Sequence, residues 1–202
     1  MQRIHKLFLL ATMAIVGYAV IYGLFTPEGI RFTSLRTFTY LSNIFMVLGF
    51  GIMLGKPSKL RTYTSISVLV AITVTGIVYN FVLVPMAGAT PAHIGFVNFV
   101  THALSTVLAL VNYFVLEEKA TFQYRHIPIA MVFPIVYWLV FISIGGIIDF
   151  FPYFFMNPNS VGWPMVFVWF GILLSLFAVL SLLLVFYDNM KGKPRQAGQL
   201  AV

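Results

Sequence analysis

The chain has 202 residues with four histidines, five Asp and Glu, twelve Lys and Arg, and no cysteine. His5, His93 and His126 fall near the N-terminus or in loops, whereas His102 lies inside Thr62–Leu116, a run without one charged residue. An imidazole in such surroundings must find partners, which makes it a functional candidate. Asn98, Thr101, His102, Ser105 and Thr106 recur at i, i+3, i+4, i+7 and i+8, the spacing of one helical stripe. Thr39, Ser42 and Asn43 follow the same rule with Arg36 one turn before them, and Thr73, Gly76 and Asn80 make a third stripe. Other chemistries lack their residues. Without cysteine there are no disulfides, thiolate metal sites or thiol nucleophiles. HExxH, GxSxG and glycine-rich phosphate loops do not occur. Bis-histidine haem would need a second histidine at the depth of His102, and zinc is short of ligands, so no metal or cofactor is expected.

The elements that position these residues follow from composition. Hydrophobic residues make up 60% of the chain and charged residues 8%, with a mean hydropathy of +0.97. That describes an all-α, polytopic membrane protein rather than a soluble domain. Apolar residues run continuously instead of alternating, unlike a β-barrel. Charges and turn formers predict six helices, at about 7–25, 38–54, 66–86, 96–116, 128–148 and 164–186. Pro85, Gly88, Thr90, Pro91 and His93 divide the long uncharged run, and Pro128 suits the first turn of the fifth helix. No Lys, Arg, Asp or Glu falls within these spans. Residues 1–187 form the membrane domain, and 188–202 read as a short, disordered basic tail. The first apolar run is long and has no small-x-small cleavage site, which favours an uncleaved helix over a signal peptide. With the N-terminus inside, Arg3, Lys6, Lys56, Lys59, Arg61, Lys119, Arg125, Lys191, Lys193 and Arg195 all lie inside, and only Arg31 and Arg36 outside. This bias places both termini on the cytoplasmic side of the cell membrane. The net charge of +7 is juxtamembrane anchoring, with no domain to carry a nucleic-acid footprint.

At ~1.5 Å per residue, His102 sits roughly 9 Å below the outer end of its helix. Asn43 and Asn80 reach a similar level, so the polar stripes should face one another. Such residues can also be plain inter-helix glue. The loop Asp149–Trp163, DFFPYFFMNPNSVGW, reads either as an interfacial aromatic belt or as a flap over the outer mouth of the polar layer. Gly51 with Gly55, and Gly145 with Gly146, read as packing notches.

LRTFTYLSN, VTGIVYN, NFVTHALSTVLALV and PIVYW…FFPYFFMNPNSVGW together resemble the androgen-induced membrane protein family, in particular its six-helix bacterial branch. The resemblance covers most of the chain, in order, through short and degenerate motifs. It implies a threonine hydrolase that cleaves fatty-acid esters of hydroxy fatty acids. The family's nucleophile corresponds to Thr39 and its histidine, in an Asn-x-x-x-His pattern, to His102 with Asn98. An acidic residue of the family's outer loop is Asn157 here. On this reading Thr39 attacks an ester carbonyl with His102 as general base. Asn98, Tyr79 or Tyr137 would orient the imidazole, while Asn43, Asn80 or Arg36 would stabilise the oxyanion. Ser42, Thr106 and Tyr153 would contact substrate, a lipid or fatty-acyl ester drawn from the surrounding membrane lipids. Regular helices leave Thr39 and His102 roughly 7 Å apart along the bundle axis. The alternatives are a small transporter or lipid-binding protein that uses the polar layer for a ligand headgroup, and a structural membrane partner.

Overall fold

The computed structural model describes residues 2–26, 29–86, 95–119 and 121–192. Gly88, Thr90, Pro91 and His93, and the tail residues Lys193 and Arg195, lie outside the described residues. Six principal helices run through the described residues: α1 Gln2–Leu24, α2 Phe38–Met53, α3 Lys59–Met86, α4 Phe96–Leu116, α5 Ile127–Ile148 and α6 Trp163–Lys191. Five of the six are long and apolar enough to cross a membrane; α2, with 16 residues, is shorter.

Local chemistry fixes the ends. The hydroxyl of Thr37 caps α2 by accepting from the Tyr40 amide, and Ser58 caps α3 by accepting from the Arg61 amide. Proline stands in the first turn of both α5 and α6, where its missing N–H costs nothing. Asp149 closes α5 in the left-handed conformation (φ 49°). A two-residue antiparallel pair, Phe25–Thr26 with Gly29–Ile30, follows α1, a small β element that composition did not announce.

Three helix ends differ from expectation because charges flank a span without ending its helix. α1 begins at Gln2 rather than near residue 7, α3 at Lys59 rather than 66, and α6 continues to Lys191 rather than 186. That extension removes Asp188 from the supposed disordered tail. Asp188 is fully buried, accepting from the Tyr113 hydroxyl (3.1 Å) and the Phe122 amide (2.7 Å). Nearby, Glu117 accepts from Ser65 (2.7 Å) and from the Asn112 amide (2.6 Å), and Asn112 also pairs with His5 (2.9 Å). Burial pushes the Glu117 carboxyl above the usual carboxylate range, against those hydrogen bonds.

α3 is the central helix. Two thirds (67%) of its most apolar stretch is buried, against 39% or less for the other four long helices, and it packs on α2, α4, α5 and α6. Gly49 of α2 lets α3 approach closely: a Cβ there would meet Val68 at 2.7 Å and Thr64 at 2.8 Å. Gly76 does the same for α3 against α4, where a Cβ would strike the Thr106 side chain and the His102 carbonyl. Gly51 and Gly55 stand in no such crossing, and Gly145 seats the Phe151 ring of the aromatic loop rather than a helix.

Three helical stretches widen into π-turns: Tyr79–Leu83, Val100–Leu104 and Asn112–Leu116. The first precedes Pro85, which cannot donate to the turn before it. The second carries His102, and its geometry buries three consecutive residues, Val100, Thr101 and His102.

Candidate active site

Thr39 stands at the second position of α2 and His102 in the π-turn of α4, and both are buried (7% and 8% exposed). Their side chains meet: Thr39 Oγ1 lies 3.1 Å from His102 Nε2. The 7 Å offset expected from regular helices is closed. His102 Nδ1 lies 3.0 Å from the Asn98 carbonyl and 3.1 Å from Thr101 Oγ1. A carbonyl can only accept, and Thr101 already spends its proton on the Val97 carbonyl (2.8 Å). Nδ1 therefore carries the hydrogen, and Nε2 presents a lone pair to the Thr39 hydroxyl. The Tyr79 ring stacks on the imidazole with centroids 3.6 Å apart and planes at 21°.

A hydroxyl that donates to a fixed imidazole lone pair can give up its proton as it attacks an electrophile. The two neutral acceptors at Nδ1 stand where a Ser-His-Asp triad has its carboxylate. They orient the ring without placing a charge in the apolar interior.

Behind this pair, Asn43 is fully buried and spends its amide on the carbonyls of Thr39 (2.8 Å) and Thr101 (2.9 Å), tying α2 to α4. Ser42 donates to the Thr39 carbonyl (3.0 Å) and pairs with Thr75 (2.9 Å). In front lies a narrow cavity, partly open to the outside. Thr39, Thr75, Tyr79, Tyr137 and Tyr153 provide hydroxyls at its wall; Val74, Leu83, Trp138, Phe155, Phe170 and Leu173 make much of the rest apolar. Tyr153, Phe155 and Met156 bring the aromatic loop into this wall, while Trp163 stays exposed. The loop thus covers the cavity with one part and faces outward with another. Burial raises the Tyr153 hydroxyl above the ordinary phenol value, so it remains protonated.

The residues singled out from sequence fall into different places. Thr39, His102, Tyr79, Tyr137 and Tyr153 converge. Asn98 contributes its main-chain carbonyl, with an exposed side chain. Asn43 and Ser42 hold Thr39 from behind, and Thr106 donates to the Ile72 and His102 carbonyls (3.1 and 3.3 Å) as inter-helix glue. Tyr137 does not reach the imidazole; it donates to the Arg36 carbonyl (3.0 Å). The Arg36 guanidinium stands 5.0 Å over the Phe150 ring. Asn80 is exposed and turns its amide onto the Gly76 carbonyl (2.8 Å), because Tyr79 takes the inward position where α3 widens. The apolar wall from α5 and α6, including Trp138 and Phe170, went unread, since in so hydrophobic a sequence a wall residue looks like any other. Among the described residues, no group of three or more His, Asp and Glu could hold a metal ion.

No family model, curated protein or solved structure matches this chain.

Proposed function

We propose that the protein is a multi-pass membrane hydrolase that cleaves lipid esters such as fatty-acid esters of hydroxy fatty acids, with Thr39 as nucleophile and His102 as general base. The contact between Thr39 Oγ1 and the lone-pair nitrogen of His102, beside a largely apolar cavity that Thr39 lines, carries this reading. The resemblance to the androgen-induced membrane protein family agrees with it. All six helices cross the cell membrane, and both termini are cytoplasmic, as the distribution of basic residues requires.

The Oγ1–carbonyl bond forms as the hydroxyl proton passes to His102 Nε2 and the carbonyl π electrons move onto oxygen. When that intermediate collapses, the ester C–O bond breaks and the imidazolium returns its proton to the leaving alcohol. Water, activated by the same imidazole, then cleaves the acyl-threonine and restores the hydroxyl. The apolar wall holds the acyl chain, and the hydroxyls beside Thr39 position the ester.

Purified protein should hydrolyse an aryl or branched fatty-acid ester. Thr39→Ala and His102→Ala should each reduce kcat by ~10³-fold or more while the bundle keeps its melting temperature. Full activity in either variant would remove the mechanism. The wholly uncharged cavity also suits a lipid-binding protein without catalysis. That alternative predicts saturable lipid binding but no fluorophosphonate label on Thr39.

A further inference from the structure

In the proposed reaction His102 becomes an imidazolium as its Nε2 takes the Thr39 proton. A cation buried in apolar surroundings is costly unless something answers its charge. The three groups hydrogen-bonded to the ring, Thr39 Oγ1, Thr101 Oγ1 and the Asn98 carbonyl, are all neutral. They hold the ring by its edge and leave its two faces.

One face belongs to Tyr79. Its phenol ring stands 3.6 Å from the imidazole, centroid to centroid, with the planes at 21°. Among the described residues the other ring pairs are 4.8 to 6.4 Å apart. Neutral aromatic rings prefer offset or edge-on arrangements with centroids ~4.5–7 Å apart, because their negative faces repel. Rings nearly face to face at 3.6 Å suit a different pair, a cation over the negative face of a π system. The backbone departs from a regular helix on both sides of this stack. Tyr79 opens the π-turn Tyr79–Leu83 of α3, and His102 is the central residue of the π-turn Val100–Leu104 of α4. Such widened turns are rare and gather at functional sites. Gly76, three residues before Tyr79, lets α3 close on the His102 carbonyl, so each of two adjoining turns delivers one ring. Tyr79 also lines the cavity together with Thr39.

We infer that the face of Tyr79 is the charge partner of the His102 imidazolium, filling the electrostatic role that a triad gives to its carboxylate. This rests on the ester-cleavage reading and names what stabilises its cationic step. A neutral imidazole gains little from the negative face and an imidazolium gains much, so the interaction strengthens as the proton arrives. The site thereby meets a transient charge without keeping a permanent one in the apolar interior.

The π-face can be weakened with little change of shape. Tyr79→Phe, as full-length protein in detergent, keeps the ring and sets the reference. Phenylalanines with one, two and three ring fluorines, placed at position 79 by stop-codon suppression, then drain the face of negative charge stepwise. The kcat should fall with each fluorine, by ~5–30-fold over the series, with KM changed little. A ring that only packs against a neutral imidazole predicts no fall, because fluorination eases the repulsion between faces. A kcat that stays flat or rises across the series therefore overturns the proposal. Tyr79→Leu, apolar but without a π-face, is a second measure and should be at least as slow as the trifluorinated variant. Activity equal to that of Tyr79→Phe would overturn the proposal too. An active wild type with a flat series removes this inference alone, whereas a wild type that cleaves no ester removes the underlying reading with it.

Discussion

In the proposed mechanism His102 works without a carboxylate. Its Nδ1–H is shared between the Asn98 carbonyl and Thr101 Oγ1, and neither acceptor carries charge. An ionised partner at this depth would itself cost several kcal/mol to bury, so neutral acceptors suit the surroundings. Thr101→Val removes one acceptor and leaves the other, and kcat should fall by about 3- to 10-fold, the worth of one hydrogen bond, with KM little changed. Asn80→Ala should leave kcat within about two-fold, as expected of a side chain outside the site. Steady-state kinetics on one ester substrate measures both. His102 was legible in the sequence because charge arithmetic left it the single imidazole inside an uncharged span. Thr39 was not, being one threonine among many; only the family resemblance pointed to it. Asn80 was misplaced because a regular helical stripe takes no account of the π-turn that begins at Tyr79.

At the scale of elements, the crossing of α3 and α4 at Gly76 holds the imidazole's helix at its working distance. Gly76→Ala would drive its methyl into Thr106 and the His102 carbonyl, displacing the turn that carries the ring. Activity should drop about tenfold or more, since small misplacements of catalytic groups are costly. Thr106→Ala in the same chain should restore part of it by clearing the nearer obstacle, a coupling that a double-mutant cycle reads. A pH effect belongs to the end of α4. Glu117, outside the spanning segment, has its pKa raised by burial, so the folded state binds its proton more readily than the unfolded chain does. Its contribution to stability is present below the unfolded carboxylate value and is lost as pH rises through the raised one. Glu117→Gln should therefore melt higher than wild type at pH 7, by about 2–4 °C for each ~1 kcal/mol gained. The difference should shrink towards pH 4. The ends of α2, α4 and α5 were readable because charges and prolines bracket them. The buried cluster around Glu117 and Asp188 was not, because its partners Ser65, Tyr113 and Phe122 come from distant stretches of chain.

For the whole molecule, the absence of cysteine makes sidedness directly measurable. Asn159→Cys, exposed in the aromatic loop, should react with an impermeant maleimide on intact cells. Lys56→Cys and Arg125→Cys should react only after permeabilisation if the proposed topology, drawn from the distribution of basic residues, holds. Labelling of Lys56→Cys from outside would invert the assigned topology. The outline of the bundle was available from composition alone, whereas the cavity was not: it depends on which faces of α5 and α6 turn towards α3, and uniformly apolar helices carry no phase to read.

α2 has 16 residues and extends ~24 Å, whereas a typical hydrocarbon layer is about 30 Å deep. Leu48 and Ile52 are exposed on this short rod, so in the proposed six-span topology the surrounding leaflets must pinch by several ångströms to meet its ends. Thinner bilayers would relieve that mismatch and thicker ones aggravate it. Reconstitution into phosphatidylcholines of graded acyl length should therefore tune turnover, with host-membrane thickness acting as a control on catalysis.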